Sequence, residues 1–292
     1  MLVQTRTPFD KGYTKVFHVC AYGASYYSDL VEKYGADNVF RAASATAEDA
    51  AFRSAISMCM TGRNDQIKVY PGTYTFAAVV TVNKGCTIEA ANGVAGSVII
   101  DLATSDVAGF SVTAVGVTIR NMVITGEDAA GATIIIASSA DATVVENITF
   151  VGTATSTGAM VDLNGDYSIV RGCIFQHALA AIQVDGSYCI IENNMVNSAI
   201  NSSIGIELTA STTGKNTACI VRGNILNLQS ATTTCGIKVG GPATGCVADG
   251  NGVAVLAAKD VIAAAVTDID CYKSVVSNTS AAGQVGAVVS TS

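Results

Sequence analysis

The chain carries an eight-residue pattern of hydrophobic and polar positions that returns along most of its length. The clearest copy, residues 189–196, reads C-I-I-E-N-N-M-V, and further copies begin at residues 86, 117, 143, 168, 219, 246 and 271. Side chains alternate along a strand, and a turn residue at position 5 of this octad resets the phase. Positions 1, 3, 6 and 8 are therefore predicted to point inward, and positions 2, 4 and 7 outward.

A second short strand is predicted halfway between successive octads. These strands begin at Gly131, Gly158, Ala180, Ile204 and Cys235. Intervals of 21 to 31 residues between octads are typical of repeat arrays, in which each unit stacks on the next. Short strands joined by turns, without helical periodicity, predict coils of β-structure spaced about 4.8 Å apart, which is a β-solenoid.

Asparagine and glycine at position 5 predict the same sharp corner in every coil. The position reads Asn121, Asn147, Gly172, Asn193, Gly223 and Gly250. Both residue types tolerate the left-handed region of backbone space. Position 6 reads Asn194, Asn224 and Asn251 in three successive coils, and because it points inward the amides are predicted to form a hydrogen-bonded ladder.

These coils resemble the right-handed parallel β-helix of the pectate-lyase-like superfamily over roughly residues 46 to 285. The amphipathic segment 45–59 and the strand-like segment 67–74 resemble the capping helix and first strand of that superfamily. The expected fold is all-β: a single-stranded right-handed parallel β-helix at residues 46–292 with an N-terminal capping helix. Residues 1–45 are expected to form a docking or capping segment, with a strand at residues 15–20.

The superfamily includes polysaccharide lyases and hydrolases, phage tailspikes and phage decoration proteins. The resemblance therefore implies a fold and leaves the chemistry open.

Position 4 of the octads alternates in charge at every step. It reads Glu89, Arg120, Glu146, Arg171, Glu192, Arg222 and Asp249. If neighbouring coils stack these residues in register, each charge lies between two opposite ones and sets the register of the coils. The competing interpretation is a row of catalytic carboxylates and arginines. The structural interpretation is favoured because catalytic acids need unmatched environments, whereas each of these charges has a partner.

The composition favours one elongated domain that assembles with other chains. Of 292 residues only 13% are charged, none is tryptophan, and the net charge is −7. Much of the outer surface must then consist of small and aliphatic residues, as in proteins that assemble. No signal peptide and no run of 18 apolar residues is recognised, so neither signal-dependent secretion nor a membrane partner is expected. Few Lys/Arg clusters argue against nucleic acid.

Nine cysteines are present, several of them at inward positions such as Cys189, Cys219 and Cys246. They are expected to be reduced thiols that pack as small hydrophobic side chains. No Cys/His spacing indicates zinc, so no metal or cofactor is expected.

Glycan cleavage is the one catalytic chemistry for which the sequence offers candidates. With only two histidines, nucleophilic acyl transfer lacks its parts. The outward middle position of the second strand reads Asp162, Gln183, Glu207 and Lys238, with Asp185 beside it. Asp162 and Glu207 are predicted two coils apart, near 9.6 Å, a separation that an inverting hydrolase tolerates. Polygalacturonase-like motifs are missing, and no aromatic platform for a sugar is evident, which favours a solvated polar face.

Outward position 2 predicts an apolar stripe that another subunit covers. It reads Val144, Ile169, Ile190, Ile220 and Val247, and position 7 adds Ile174, Met195 and Ile225. A strand phase wrong by one residue would instead turn position 3 outward (Ile119, Val145, Val170, Ile191 and Val221). Either phase leaves an apolar stripe outside, so a homotrimer around a threefold axis is expected.

The resulting functional expectation is a non-catalytic virion structural protein, a trimeric phage capsid-decoration protein or short spike. The virion setting comes from the resemblance, which also implies capsid or tail proteins as partners and a host glycan as a further possible one. The alternative is a tailspike-type polysaccharide-degrading enzyme, in which Asp162, Asp185, Glu207 and Lys238 would form the catalytic site.

Overall fold

The computed structural model describes residues 14–102, 108–127, 133–153, 158–199, 204–209, 217–229, 235–240, 245–255, 262–264, 269–272, 275–278 and 289–291. Within these residues, 27 strands form two sheets, one of 18 strands and one of nine, in which the pairings are parallel. The chain is nearly all β, with parallel strands stacked coil on coil.

The larger sheet contains two rows of strands, one on each side of the corner at octad position 5. The row before the corner comprises β1 (Val16–Cys20), β3 (Asp65–Val69), β6 (Cys86–Ala90), β13 (Ile169–Arg171), β16 (Ile190–Glu192), β19 (Ile220–Arg222), β22 (Cys246–Asp249) and β25 (Ile269–Tyr272), with β2 (Val39–Arg41) paired to β1. The row after it comprises β4 (Gly72–Thr75), β7 (Val98–Asp101), β14 (Ile174–Gln176), β17 (Met195–Ser198), β20 (Ile225–Leu228), β23 (Gly252–Val255) and β26 (Val275–Asn278). Strands β9 (Thr118–Glu127) and β11 (Val144–Gly152) run through the corner and belong to both rows.

The smaller sheet forms the remaining side of the coils. It comprises β5 (Val80–Val82), β8 (Phe110–Val112), β10 (Ile134–Ile136), β12 (Ala159–Leu163), β15 (Ala180–Val184), β18 (Ile204–Thr209), β21 (Cys235–Gly240), β24 (Ile262–Ala264) and β27 (Val289–Thr291). These are the second strands that the sequence predicts between octads, preceded by β5 and β8 and followed by β24 and β27.

Burial decides the strand phase. Octad position 3 is fully buried at Val145, Val170, Ile191 and Val221, whereas the described residues at positions 2, 4 and 7 are half-buried or exposed, apart from the buried Glu89. The phase with positions 1, 3, 6 and 8 inward is therefore confirmed, and the alternative phase is wrong. The interior includes a stacked pair, Phe150 and Phe175, whose ring centroids are 4.8 Å apart.

Corners recur at the same two places in successive coils. Position 5 has positive φ at Asn121, Asn147, Gly172, Asn193, Gly223 and Gly250, so the predicted left-handed corner is confirmed. At Gly223 (φ +62°) a Cβ would lie 2.6 Å from Asn193 Oδ1 of the preceding coil, so the asparagine side chain occupies that space. A second left-handed corner directly precedes the six octads from residue 117 to residue 246, at Gly116, Ala142, Tyr167, Tyr188, Ala218 and Gly245. This corner could not be predicted from the sequence, because alanine and tyrosine rarely adopt positive φ.

The predicted interior amide ladder is present. Asn194, Asn224 and Asn251 are buried, and each Nδ2 donates to the next Oδ1, at 3.0 Å from Asn194 to Asn224 and at 2.9 Å from Asn224 to Asn251. Each Oδ1 also accepts the backbone N–H one coil earlier, as Asn224 Oδ1 does from Asn194 at 3.0 Å. The amides therefore satisfy backbone groups at the corners as well as each other.

Seven cysteines lie buried without forming a disulfide in the described structure: Cys20, Cys59, Cys86, Cys173, Cys189, Cys219 and Cys246. Burial raises the pKa of Cys20 to about 11 and that of Cys173 to about 12. A side-chain hydrogen bond with Cys189, together with burial, raises the pKa of Cys219 to about 12. The thiols of Cys20, Cys173 and Cys219 are therefore held in their unreactive neutral form.

We therefore expect iodoacetamide at pH 8 to leave these seven cysteines unmodified in the native protein and to modify them after denaturation. Alkylation needs an accessible thiolate: burial shields all seven thiols, and raised pKa values suppress the thiolate at Cys20, Cys173 and Cys219. Peptide mass mapping of the two samples measures this. Rapid native modification of Cys189 or Cys219 would contradict a closed interior.

The N-terminal residues add to the coil stack before the first octad. The predicted strand at residues 15–20 is confirmed as β1, which pairs with β3 as well as β2. Helix α1 (Tyr27–Tyr34) and a 3-10 turn (Ala36–Asn38) lie between β1 and β2; the sequence reading did not anticipate either. The segment 67–74, expected as one strand, is two, β3 and β4, because Pro71 lacks a backbone N–H and interrupts pairing.

Helix α2 (Asp49–Met58) lies within the amphipathic segment 45–59 and buries Ala51, Phe52, Ala55 and Ile56. The Phe52 ring centroid is 5.4 Å from that of Tyr74 and 5.0 Å from that of Phe76. The buried Glu48 carboxylate accepts the backbone N–H of Tyr22 at 2.6 Å and that of Thr75 at 2.9 Å. The helix start is therefore tied to the loops on either side of it.

Candidate functional site

The structure stacks the position-4 charges directly on one another. Glu89 pairs in register with Arg120, Arg120 with Glu146, Glu146 with Arg171, Arg171 with Glu192, Glu192 with Arg222, and Arg222 with Asp249. Arg171 Nε lies 3.1 Å from Glu146 Oε1, and Arg222 Nη2 lies 2.5 Å from Glu192 Oε2. The arrangement matches opposite charges along one side of the coil stack.

The ladder of alternating charges begins at Lys68, one coil before Glu89, where the sequence predicted its start. Lys68 of β3 is in register with Glu89, and its Nζ lies 2.5 Å from Glu89 Oε1. Arg120 Nη2 lies 2.7 Å from Glu89 Oε2, so this buried carboxylate lies between two cations. Burial by itself raises the pKa of Glu89, but the bonds from Lys68 and Arg120 outweigh burial and hold the pKa below its usual value.

Apolar residues do point outward, but the two rows differ in exposure. At position 2, Val144, Ile169, Ile190, Ile220 and Val247 are half-buried, because the coils above and below cover their sides. At position 7, Ile174 is 37% exposed, Met195 44% and Ile225 55%. These three residues stack in register. We call them the position-7 stripe.

The candidate catalytic residues occupy one row of the smaller sheet. Asp162 is in register with Gln183, Gln183 with Glu207, and Glu207 with Lys238. Gln183 therefore separates the two carboxylates, by two coil spacings or about 9.6 Å. Lys238 Nζ lies 2.6 Å from Glu207 Oε1, which commits Glu207 to an ion pair.

Asp162 differs from the ladder carboxylates in having no described cationic partner. Burial raises the pKa of Asp162; a side-chain hydrogen bond with Asn164 opposes the rise, and the charge of Asp185 adds to it. Asp185 follows β15, and its backbone N–H donates to Leu163 O at 2.8 Å, which places it one coil from Asn164. A carboxyl group with a raised pKa beside a second carboxylate has the properties of a general acid.

Two tyrosines provide an aromatic surface that was not predicted from the sequence. Tyr167 and Tyr188 are 59% and 47% exposed, and their rings stack with centroids 4.9 Å apart at an interplanar angle of 6°. They form the left-handed corner that follows β12, which carries Asp162, and β15, which Asp185 directly follows. The signal was a tyrosine directly before two successive octads. Flat exposed rings of this kind are surfaces on which a sugar ring can stack.

No cluster of three or more His, Cys, Asp or Glu side chains suited to a metal ion occurs among the described residues. No helix in the described part of the chain is long and apolar enough to span a membrane.

Comparison with known proteins yields structural matches alone. No protein-family model and no curated protein sequence matches the chain. The A-module of the mannuronan C-5 epimerase AlgE4 from Azotobacter vinelandii superposes with a TM-score of 0.54 at 10% identity, covering 78% of this chain and 73% of that one. The pectin methylesterase PemA from Erwinia chrysanthemi gives a TM-score of 0.49 at 12% identity, with coverages of 85% and 80%.

A tailspike protein of the E. coli bacteriophage HK620 matches with a TM-score of 0.46 at 13% identity, covering 77% of this chain and 50% of the tailspike. The chain thus spans half the length of that protein. At such low identities these likenesses concern the fold alone. Together with the parallel coils described above, the likeness to the epimerase module shows that the chain has a parallel β-helix fold.

Proposed function

We propose that this protein is a non-catalytic structural β-helix that assembles laterally as a homotrimer. The observation that carries the proposal is the position-7 stripe, in which the exposed side chains of Ile174, Met195 and Ile225 lie one above another. Stacked exposed aliphatic residues are a feature of surfaces that meet another surface. The neighbouring charge ladder supports the same conclusion. Its charges are paired, so burying them in a subunit interface costs less free energy than burying unpaired charges would.

The wider setting of this assembly is a phage particle, with capsid or tail proteins as further partners. This part of the proposal rests on the resemblance noted in the sequence. We further propose that the coils form one continuous single-stranded solenoid and that α2 caps its N-terminal end. The contacts of Phe52 with Tyr74 and Phe76 support that role, since they place the apolar side of the helix against the core.

Replacing Ile225 by aspartate should convert the trimer to a monomer without unfolding the coils. The substitution places a charge on the most exposed residue of the position-7 stripe, and burying that charge without a partner costs several kcal/mol. Light scattering at micromolar concentration measures the mass, and circular dichroism the fold. Ile190→Asp tests the half-buried position-2 row in the same way.

A matched control is Ile135→Asp, an outward isoleucine of the smaller sheet that lies far around the coil from the stripe. It should leave the mass unchanged. A monomeric wild-type protein in the same measurement would contradict the proposed trimer.

A glycan-cleaving enzyme is the second candidate, favoured by one specific combination. Asp162, whose pKa is raised by burial, adjoins Asp185, and the stacked Tyr167 and Tyr188 follow directly along the same coils. Against this candidate, Glu207 is held by Lys238, so the second carboxylate of the predicted pair is not free to act on water.

We expect no release of reducing ends, and no unsaturated product, when the wild-type protein is incubated with a panel of capsular polysaccharides. Asp162→Asn and, as a matched control on the ladder, Asp249→Asn should be indistinguishable from it. The enzyme hypothesis is instead supported if the wild type cleaves a glycan and Asp162→Asn slows cleavage by about 10²-fold or more, as loss of a general acid does. Retained activity in Asp249→Asn would then localise the effect.

A further inference from the structure

A pocket of about 400 Å³ lies between the first coils and the segment that precedes them. Its floor consists of Val16 and His18 of β1 and Lys68 of β3. Tyr70, which follows β3, also lines it. Its opposite wall is formed by Tyr34, the last residue of α1, and Asn38 of the 3-10 turn. The volume suits a small molecule.

His18, which lines this pocket, has a ring nitrogen without a hydrogen-bond partner in the described structure. The residue is 5% exposed, and its Nδ1 is buried without a hydrogen-bond partner in the described structure. A buried polar atom without a partner costs free energy, so it calls for a specific explanation. The proposed structural role of the protein does not require this histidine, since the charge ladder passes through the neighbouring Lys68.

Aromatic rings line the pocket. The rings of His18 and Tyr34 stack with centroids 3.8 Å apart and an interplanar angle of 16°, and the Tyr70 centroid is 5.8 Å from that of His18. Chiefly burial, and then a hydrogen bond with Tyr34, raises the pKa of Tyr70 to about 12. Hydrogen bonds with Lys33 and then with Tyr70 lower the pKa of Tyr34, so the raised pKa keeps only the Tyr70 phenol firmly protonated. The walls offer flat apolar surface with hydroxyl groups at the edge.

Positive charge surrounds the histidine. Burial, followed by the charges of Lys33 and Lys68, lowers the pKa of His18. Lys68 donates one hydrogen bond to Glu89 at 2.5 Å, and an ammonium group has three N–H donors. The pocket therefore combines a neutral imidazole, an ammonium group with donors to spare and flat apolar walls.

We propose that this pocket binds a carboxylate carried on a flat apolar group, either a free aromatic acid or the aromatic C-terminal residue of a peptide. Lys68 binds the carboxylate, and Tyr34 and Tyr70 pack on the flat group beside His18. The inference is independent of the proposed assembly, since the pocket lies on the N-terminal elements and the position-7 stripe on later coils.

Titration of the full chain with benzoate, followed through the imidazole resonances of its two histidines in ¹H–¹⁵N NMR spectra, tests the proposal. His18 should shift saturably, while the exposed His177 serves as the internal control and should not move. Benzamide has the same shape without the charge, and acetate the charge without the ring; each should bind about tenfold more weakly or worse, a difference of about 1.4 kcal/mol. Glycyl-phenylalanine and its C-terminal amide distinguish a peptide end from a free acid.

Lys68→Gln should weaken benzoate binding by about tenfold. Lys238→Gln is the matched control, because Lys238 makes the same kind of ion pair, at 2.6 Å to Glu207, away from the pocket. Tyr34→Phe keeps the ring and should bind nearly as wild type, whereas Tyr34→Ala should not bind. Absence of a saturable His18 shift at roughly 10 mM benzoate, about ten times the dissociation constant of a weak millimolar ligand, overturns the proposal. Equal binding of benzamide, or an equal loss in Lys238→Gln, does so too.

Discussion

Replacing Asn224 by leucine should lower the free energy of unfolding by about 3–5 kcal/mol, because the substitution leaves several buried polar groups without partners. Asn224 Oδ1 accepts two hydrogen bonds from Asn194, one from its backbone N–H and one from its side chain, each at 3.0 Å. Its Nδ2 donates to Ile191 O and to Asn251 Oδ1. Urea denaturation monitored by circular dichroism measures the loss.

Asn227→Leu is a matched control for Asn224→Leu. Asn227 lies three residues further along the same coil and donates to Asn197 Oδ1 at 3.2 Å in a second amide stack, but on the outer surface. Water can replace that bond, so the control should cost less than about 1 kcal/mol. Equal effects of the two substitutions would mean that burial does not decide the contribution of the interior ladder.

Replacing Glu89 by glutamine should lower the free energy of unfolding by about 2–3 kcal/mol. Glu89 is 5% exposed and bonds to both Lys68 and Arg120, so its loss leaves two cations next to each other. The cost stays below the 3–5 kcal/mol typical of a fully buried pair, because Lys68 and Arg120 are partly exposed to water. Glu192→Gln is the control: Arg222, its partner, is 53% exposed, and the expected change is about 0–1 kcal/mol.

The same carboxylate predicts a pH dependence of stability. The pKa of Glu89 is lower in the folded protein than its ordinary value of 4.5, so the unfolded chain takes up the proton first as the pH falls. Its contribution is thus complete above that ordinary value and is lost as the pH falls from there through the folded pKa. Unfolding free energies of wild type and Glu89→Gln should converge over this range. A constant difference between them down to the acid limit would contradict the assignment.

Much of the fold can be predicted from the sequence because a β-helix repeats one local rule. Alternation within the octad determines which side chains face inward, as the buried Val170 and Ile191 and the outward Arg171 and Glu192 show. Because the octad is constant, neighbouring coils stack in register. The pairing of the alternating position-4 charges can therefore be predicted although the loops between octads differ in length. The interior amides and the corner at position 5 follow from the same rule.

The candidate site was less predictable, because it depends on burial and on distances between coils, which the order of residues along the chain does not give. The row of Asp162, Gln183, Glu207 and Lys238 followed from strand alternation, but the ion pair of Glu207 and the raised pKa of Asp162 depend on burial and on distances across coils. The tyrosine surface required a corner with positive φ at Tyr167 and Tyr188. The neighbouring coils make the same corner at Ala142 and Ala218, and stacking on them holds the tyrosines in that conformation.

The sequence by itself determined the repeat, the inward and outward phase, the position-5 corners and the order of the charges, since each depends on neighbours along one coil or at a constant repeat distance. Tertiary structure alone decided how far the outward apolar rows are exposed and where the chain leaves a cavity. His18 and Lys68 meet because β1, 50 residues earlier, pairs with β3, and Tyr34 at the end of α1 stacks on His18. Contacts of that kind arise from elements outside the repeat, whose position no periodic pattern encodes.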